Sequence, residues 1–322
     1  MNQDARWMGA AIALAARGQG RTWPNPNVGC VIVSAGRVVG RGYTANGGRP
    51  HAEAIALAQA GAAAKGATLY TTLEPCAHAS ARGPTCSDLI VDSAISRVVI
   101  AVGDPDSRTD GEGIARLRGA GVDVTEAIET PAGSRAMAGF LTRQRFGRPH
   151  VTLKLALSLD GCIALGDGES QWITGPEARA HGHLERSRVQ AILVGRGTFN
   201  TDAPRLDVRL AGLEDLSPQR YVLTSGAAPD GWRVIANNHA IADIPADHIL
   251  VEGGAQTASA FLVADLVDRL LIYRAPILIG GGKPALSDIG LHALANAHGR
   301  WRPVDTRMLG IDRLDIYERV RD

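Results

Sequence analysis

Aromatic residues make up only 4% of the 322-residue chain, which leaves few stacking platforms for single-stranded nucleic acid. Neither sign of charge is in excess. Thirty-four Lys and Arg against 33 Asp and Glu give a net charge of +1, so no global field favours a polyanion or an anionic membrane. No apolar run reaches the roughly 18 residues that a membrane span requires. The four cysteines, Cys30, Cys76, Cys86 and Cys162, are too few to frame a chain of this length with disulfides. These absences point away from nucleic acid and membrane partners and toward a cytoplasmic enzyme acting on small molecules. What is present agrees: apolar residues are 45% and charged residues 21%, an ordinary globular balance.

The apolar stretch from Met8 to Ala16 faintly resembles a signal-peptide core. However, Asp4 and Arg6 precede it, and Trp7, Ala11, Ile12, Leu14 and Ala15 recur at mostly helical spacing before Gly18 and Gly20. That pattern predicts an amphipathic first helix. Two strands follow over 28–44 around Ser34-Ala35-Gly36-Arg37, then an alanine-rich helix at 52–64 and a strand at 68–73. Helices at 84–94, 111–119 and 131–146 alternate with strands at 98–102 and 122–128, an α/β layering. Gly147-Arg148-Pro149 marks a boundary, because glycine ends a helix and proline forces extended chain. Two domains are expected, 1–147 and 148–322.

Beyond the boundary the pattern restarts. Strands are expected at 151–158, 191–194, 221–225, 248–252 and 270–278, with helices at 176–187 and 255–264 and a long C-terminal hairpin turning near Gly310. No helix is assigned within 226–247.

One group of residues carries recognisable chemistry. His51-Ala52-Glu53 opens a helix, and Pro75-Cys76 and Cys86 follow about two dozen residues later. One imidazole and two thiolates suit zinc, and three protein ligands leave a fourth position for water. Zinc lowers the pKa of such a water to about 7, and a nearby carboxylate that is not a ligand, Glu53, can shuttle the proton. His-x-Glu followed by Pro-Cys and a further cysteine is the signature of zinc deaminases. Taken singly, a His-x-Glu arises by chance and two cysteines suit buried thiols; together, at a helix start and a strand end, they indicate a metal site. His78 is read as a neighbour rather than a ligand.

The runs PNPNVGCVI (24–32), PHAEAIAL (50–57) and TLEPCAHASARGPTC (72–86) resemble the deaminase half of the bifunctional riboflavin-biosynthesis deaminase–reductases. VTLKLALSLDG (151–161), ESQWITGPEAR (169–179), ILVGRGTFNTDAPRLDVR (192–209) and VEGG (251–254) resemble the reductase half, in the same order. The resemblance implies a cytidine-deaminase-like α/β/α domain followed by a dihydrofolate-reductase-like α/β domain. The first domain would hydrolytically deaminate 2,5-diamino-6-(5-phosphoribosylamino)pyrimidin-4-one, with His51, Cys76 and Cys86 on zinc, Glu53 as catalytic acid–base and Asn25 on the ring. The cysteines here are one residue further apart than the family pattern, so the loop 77–85, with Arg82, departs from it.

The second domain lacks the Gly-x-Gly-x-x-Gly of a Rossmann fold; its Gly195-Arg196-Gly197 is by itself a weak signal. The resemblance implies NADPH lined by Ala156, Trp172, Thr198, Asp202, Ser225 and the turn Gly254, Ala255, Gln256, Thr257, Ala258, Ser259 and Ala260. The substrate would meet Lys154, Ser170, Arg186, Leu206, Arg209 and Glu252, with both arginines suited to its phosphate. Each of these residues taken alone also reads as ordinary core or surface. The segment between Ser225 and Glu252 is shorter than the family's strand–helix–strand stretch, which leaves one flank of the sheet thin. Three alternatives stay open. One is a single-function nucleoside or nucleotide deaminase with an impaired second domain, one a metal-stabilised binding module without catalysis, and one a bifunctional enzyme with a different cofactor or order of steps. A homo-oligomer is also compatible with the sequence.

Overall fold

The structure, a computed structural model, describes residues 3–78 and 83–321. It divides into two compact units, 1–147 and 148–322. No helix among the described residues is long and apolar enough to cross a membrane.

In the first unit the order is α1 (Gln3–Ala15), β1 (Gly29–Ser34), β2 (Arg37–Tyr43), α2 (Ala52–Ala60), β3 (Thr68–Leu73), α3 (Cys86–Asp92), β4 (Arg97–Val102), α4 (Glu112–Gly119), β5 (Asp123–Thr125), α5 (Thr130–Ala136) and α6 (Ala138–Phe146). The sheet order is β2-β1-β3-β4-β5. The first two pairings are antiparallel and the last two parallel. The β1–β2 turn places Ala35 and Gly36 at φ 47° and 73°, the left-handed pair that matches the twist of a two-residue hairpin. α1 packs on β1 and β3, and α2 on β2 and β1.

Both helices approach the sheet as closely as backbone allows. A Cβ at Gly29 would lie 2.0 Å from the Ala11 carbonyl oxygen, and one at Gly40 would lie 2.2 Å from that of Ala56. The Asp4 carboxylate fixes the start of α1, accepting from the Tyr70 hydroxyl at 2.9 Å and from both Arg97 nitrogens at 2.9 and 3.0 Å. The single helix expected at 131–146 is two, α5 and α6, which meet at the non-helical Met137 (φ −112°, ψ 20°). The fully buried Met137 side chain sits in the core, and that packing outweighs helix continuity. The strand expected at 122–128 is limited to three residues, Asp123–Thr125.

The second unit runs β6 (His150–Leu157), β7 (Cys162–Ala164), α7 (Pro176–Arg186), β8 (Ala191–Gly195), α8 (Arg196–Asp202), β9 (Gln219–Leu223), β10 (Arg233–Ile235), β11 (His248–Val251), α9 (Ala255–Val263), β12 (Arg269–Arg274), β13 (Lys283–Pro284), β14 (Trp301–Leu309) and β15 (Asp312–Arg319). Its main sheet has the order β10-β9-β8-β11-β6-β12-β15-β14, parallel up to β12 and antiparallel in the C-terminal hairpin. The central strands are continuous apolar runs, as strands covered on both faces must be. β12 ends at Arg274, short of the expected 278.

The segment 226–247 has no α-helix; β10 and a 3₁₀ turn (Asn238–Asp243) fill it. Ile235, Ile241, Ile244 and Ala246 from this segment are buried in the core, so the short segment covers the sheet with four apolar side chains in place of a helix.

Candidate active sites

In the first unit, parallel strands β3 and β4 end side by side, and chemistry-bearing residues collect at those ends, as in open α/β sheets generally. His51 is the N-cap of α2, Cys86 is the first residue of α3, and Cys76 lies three residues past the end of β3. Their donor atoms all lie within 4.8 Å of one another. His51 Nδ1 is 3.3 Å from Cys86 Sγ and 3.6 Å from Cys76 Sγ. The hydrogen bond from the Cys86 thiol, opposed by burial, together with bonds from His51 and the Cys86 backbone N–H, pulls the Cys76 thiol well below the usual range. Cys86 rises in compensation. A three-donor N/S set with one thiol ready to ionise fits a zinc ion. The extra residue between the cysteines does not separate the donors; residues 79–82, including Arg82, lie outside the described residues.

Glu53 follows on the first turn of α2. It is 3% exposed, accepts from the Thr71 hydroxyl at 2.8 Å, and lines the same small cavity of about 100 Å³ as His51 and Cys76. Burial pushes its carboxyl above the ordinary glutamate range, which suits a group that must both take and release a proton. Asn25 lines this cavity too, its Nδ2 donating to the Gly48 carbonyl at 2.7 Å. His78 borders the cavity and makes a 3.4 Å contact with the Thr109 hydroxyl.

Sequence reasoning missed four residues here. The buried Glu74 accepts backbone N–H groups of Asp104, Gly111, Gly113 and Ile114 at 2.9–3.3 Å, tying the loop after β4 to the end of β3. That loop brings Asp104 and Arg108 to the cavity wall, and Arg49 also lines it. Burial raises the Asp104 carboxyl to about 6. The available signal was positional: both acids follow directly on apolar parallel strands, where open sheets place their sites.

The second unit has a cavity of about 630 Å³ above the ends of β6, β8 and β11. Lys154, Ala156, Ser170 and Trp172 line it, as do Arg186, Thr198, Asp202 and Leu206, and also Arg209, Glu252 and Gly254. At its base the Glu252 carboxylate is gripped by Arg186 through two nitrogens at 2.7 and 2.9 Å, with Lys154 Nζ at 3.7 Å. Burial opposes ionisation, but the Arg186 and Lys154 charges hold the carboxyl at about 2. Thr198 accepts from the Gly254 N–H at 3.0 Å, locking the glycine turn. His183, unassigned from sequence, contacts the Asp207 carbonyl through Nδ1 at 3.0 Å and receives Arg209 Nη2 on Nε2 at 3.3 Å.

Several of the expected cofactor residues do not line this cavity. Ser225 is exposed in the loop after β9, outside the cavity lining. Of the turn and helix after β11, Gly254 alone among 254–260 lines the cavity. Ala258 packs in the core, and Ser259 is buried and bonded to the Ser287 backbone. Thr257 packs under Gly253 and Gly195, whose missing side chains make room for it. Ala255, Gln256 and Ala260 lie on α9 outside the cavity lining. Successive residues of α9 turn about 100° apart, so the helix presents Thr257, Ala258 and Ser259 inward while Gly254 faces the cavity.

Fold and sites define a two-unit enzyme, with a deaminase-type metal centre in the first unit and a ligand-sized cavity on an α/β sheet in the second. Residues 1–102 match the family described as the cytidine and deoxycytidylate deaminase zinc-binding region, and 149–242 and 239–312 match the RibD C-terminal domain. The chain belongs to the riboflavin biosynthesis protein RibD family, the bifunctional deaminase–reductases. It is 37% identical to the Escherichia coli member, covering 92% of this chain and 94% of that protein. With the Mycobacterium tuberculosis member it shares 39% identity, over 95% of each chain. Acinetobacter baumannii RibD superposes with a TM-score of 0.88 at 33% identity, covering 99% of both chains. A Thermotoga maritima structure, described as a diaminohydroxyphosphoribosylaminopyrimidine deaminase/5-amino-6-(5-phosphoribosylamino)uracil reductase, gives 0.86 at 30% identity, over 98% of this chain and 99% of that one.

Proposed function

We propose that residues 1–147 hydrolytically deaminate 2,5-diamino-6-(5-phosphoribosylamino)pyrimidin-4-one. Residues 148–322 then reduce the ribosyl group of the product to ribityl with NADPH. The observation that carries the reading is the convergence of His51, Cys76 and Cys86 beside a buried, non-coordinating Glu53. His51, Cys76 and Cys86 would hold zinc, whose contribution is to acidify a water for attack on the amino-bearing ring carbon. Glu53 takes that water's proton and delivers it to the departing amino nitrogen, so ammonia leaves neutral. The Thr71 hydroxyl holds the carboxylate in place, and Asn25, its amide nitrogen engaged by Gly48, keeps its carbonyl oxygen for a ring N–H.

In the second unit a bound dinucleotide would supply hydride for the ribose C1, and the protein's part is orientation. Lys154 Nζ donates to the ribose oxygens, with Glu252 holding it in place. Arg186 has its fork committed to Glu252 and its remaining nitrogen to the Asp207 carbonyl at 3.1 Å, so the substrate phosphate falls to Arg209, whose side chain is 51% exposed. Thr198, Trp172, Asp202 and Gly254, which line the cavity, would hold the dinucleotide. The partners are small molecules and, in a homo-oligomer, a second copy of the chain; neither nucleic acid nor membrane is involved, and the compartment is the cytoplasm.

The test supplies purified, zinc-loaded protein with the diaminopyrimidine and follows ammonia, then adds NADPH and follows its absorbance. Ammonia release followed by substrate-dependent NADPH oxidation is expected. Ammonia release without NADPH oxidation would reduce the enzyme to a deaminase, and cytidine or adenosine turnover in its place would refute the substrate.

A further inference from the structure

The deaminase cavity is an acidic place. Glu53, Glu74, Asp104 and Asp106 all contribute to its lining, beside the Cys76 thiol. Of the two arginines that line it among the described residues, Arg108 is committed: its guanidinium bonds both oxygens of Asp106. Arg49 is not. Its side chain has no hydrogen bond or ion pair with any described residue, and its Nε is buried without a partner. A buried guanidinium N–H of this kind has given up water without gaining an acceptor, which is unfavourable unless something else supplies one. The cavity's carboxylates lie within the same wall, yet Arg49 pairs with none of them.

The geometry points to Arg49 as the residue that recognises the substrate's phosphate in the deaminase unit. The inference rests on the proposed phosphoribosylaminopyrimidine substrate, which has one anionic end and a ring that must reach His51 and Glu53. Arg49 is joined to His51 through Pro50 alone, and Gly48 on its other side accepts the Asn25 amide. The segment 48–51 therefore carries a metal-ligand candidate at one end, a tether for the ring-binding Asn25 at the other, and an uncommitted cation between them. A planar fork suits phosphate oxygens through paired hydrogen bonds. Glu53 and Asp104 on the same wall disfavour a phosphate placed beside them, so the arrangement also selects against the reversed orientation of the substrate.

Two measurements test this. The first compares deamination of the phosphorylated substrate with that of the corresponding riboside, in the full-length zinc-loaded protein and in Arg49→Ala and Arg49→Lys. The ratio of kcat/KM for phosphorylated over unphosphorylated substrate should fall by about 10–100-fold in Arg49→Ala, through KM, with part of the loss restored by lysine. The second needs no turnover. Phenylglyoxal modification of Arg49, read by peptide mass spectrometry, should slow in the presence of ribose 5-phosphate. An unchanged ratio, or an Arg49 that ribose 5-phosphate does not protect, overturns the assignment. If the wild-type protein releases no ammonia from either compound, the deaminase reading itself has failed, and protection of Arg49 alone then decides whether the anion site stands.

Discussion

Replacing Glu53 with glutamine isolates proton transfer from everything else in the deaminase site. The amide has the carboxylate's shape and keeps an oxygen for the Thr71 hydroxyl, now 2.8 Å from Oε1. His51, Cys76 and Cys86 are untouched, so zinc content should stay stoichiometric. What is lost is a group able to take a proton from water and return it to the leaving nitrogen. Positioned acid–base catalysis contributes roughly 10²–10⁴-fold, or about 2.7–5.5 kcal/mol of barrier. Ammonia release at saturating substrate should fall by that factor with KM little altered, because the loss is confined to the transition state. Thr71→Val provides a graded control. It removes one buried hydrogen bond to the carboxylate but leaves the carboxylate itself, so about a 10-fold loss is expected. The assay is coupled ammonia detection, with metal analysis on the same samples. Near-normal turnover in a zinc-loaded Glu53→Gln protein would remove Glu53 from the mechanism. Loss of zinc on the same substitution would make it a ligand instead.

Three further outcomes follow from the geometry. Arg186→Met strips Glu252 of its bidentate partner and leaves Lys154 at 3.7 Å as its neighbour; NADPH oxidation should drop by about 10–100-fold while ammonia release persists, and parallel loss of both would show that the unit had unfolded. Burial holds the imidazoles of His150 and His248 neutral, the latter down to about 3. Their unfolded counterparts protonate near 6.5, so stability falls as pH drops from about 6.5 toward 3, by about 2 kcal/mol for His248 between pH 7 and pH 5. Urea midpoints at the two pH values measure it, His248→Asn should flatten the difference, and a pH-independent midpoint in the wild type would contradict the reasoning. Gly40→Ala forces a methyl to within 2.2 Å of the Ala56 carbonyl and pushes α2, with Glu53 on it, away from β2. Destabilisation of about 1–3 kcal/mol with reduced deamination is expected, whereas a neutral result would mean that α2 has slack.

The candidate ligand set was legible in the amino-acid order alone because metal chemistry restricts both residue type and spacing, and a helix start and a strand end are visible in local pattern. Strand and helix positions were readable for the same local reasons, to within a few residues at most elements. The breaks at Met137 and after Arg274 were not, since buried packing and loop anchoring decided them. The reductase cavity shows the limit most clearly. A glycine-rich turn announces that something approaches the backbone there, but rotation along α9 turns Thr257, Ala258 and Ser259 inward, and this depends on what the helix packs against.

Long-range pairing was equally out of reach. Glu74 binding the N–H groups of a loop some 30–40 residues away, Arg186 closing on Glu252 across 66, and Arg49 left without an acid in an acidic cavity are facts about which strands lie side by side. The amino-acid sequence by itself determined the two α/β units, the candidate metal-binding set and the deaminase class of chemistry, because those follow from side-chain type and short-range periodicity. Tertiary structure alone decided which charges neutralise one another and which remain for a ligand, because in a folded chain electrostatic partners are chosen by distance through space.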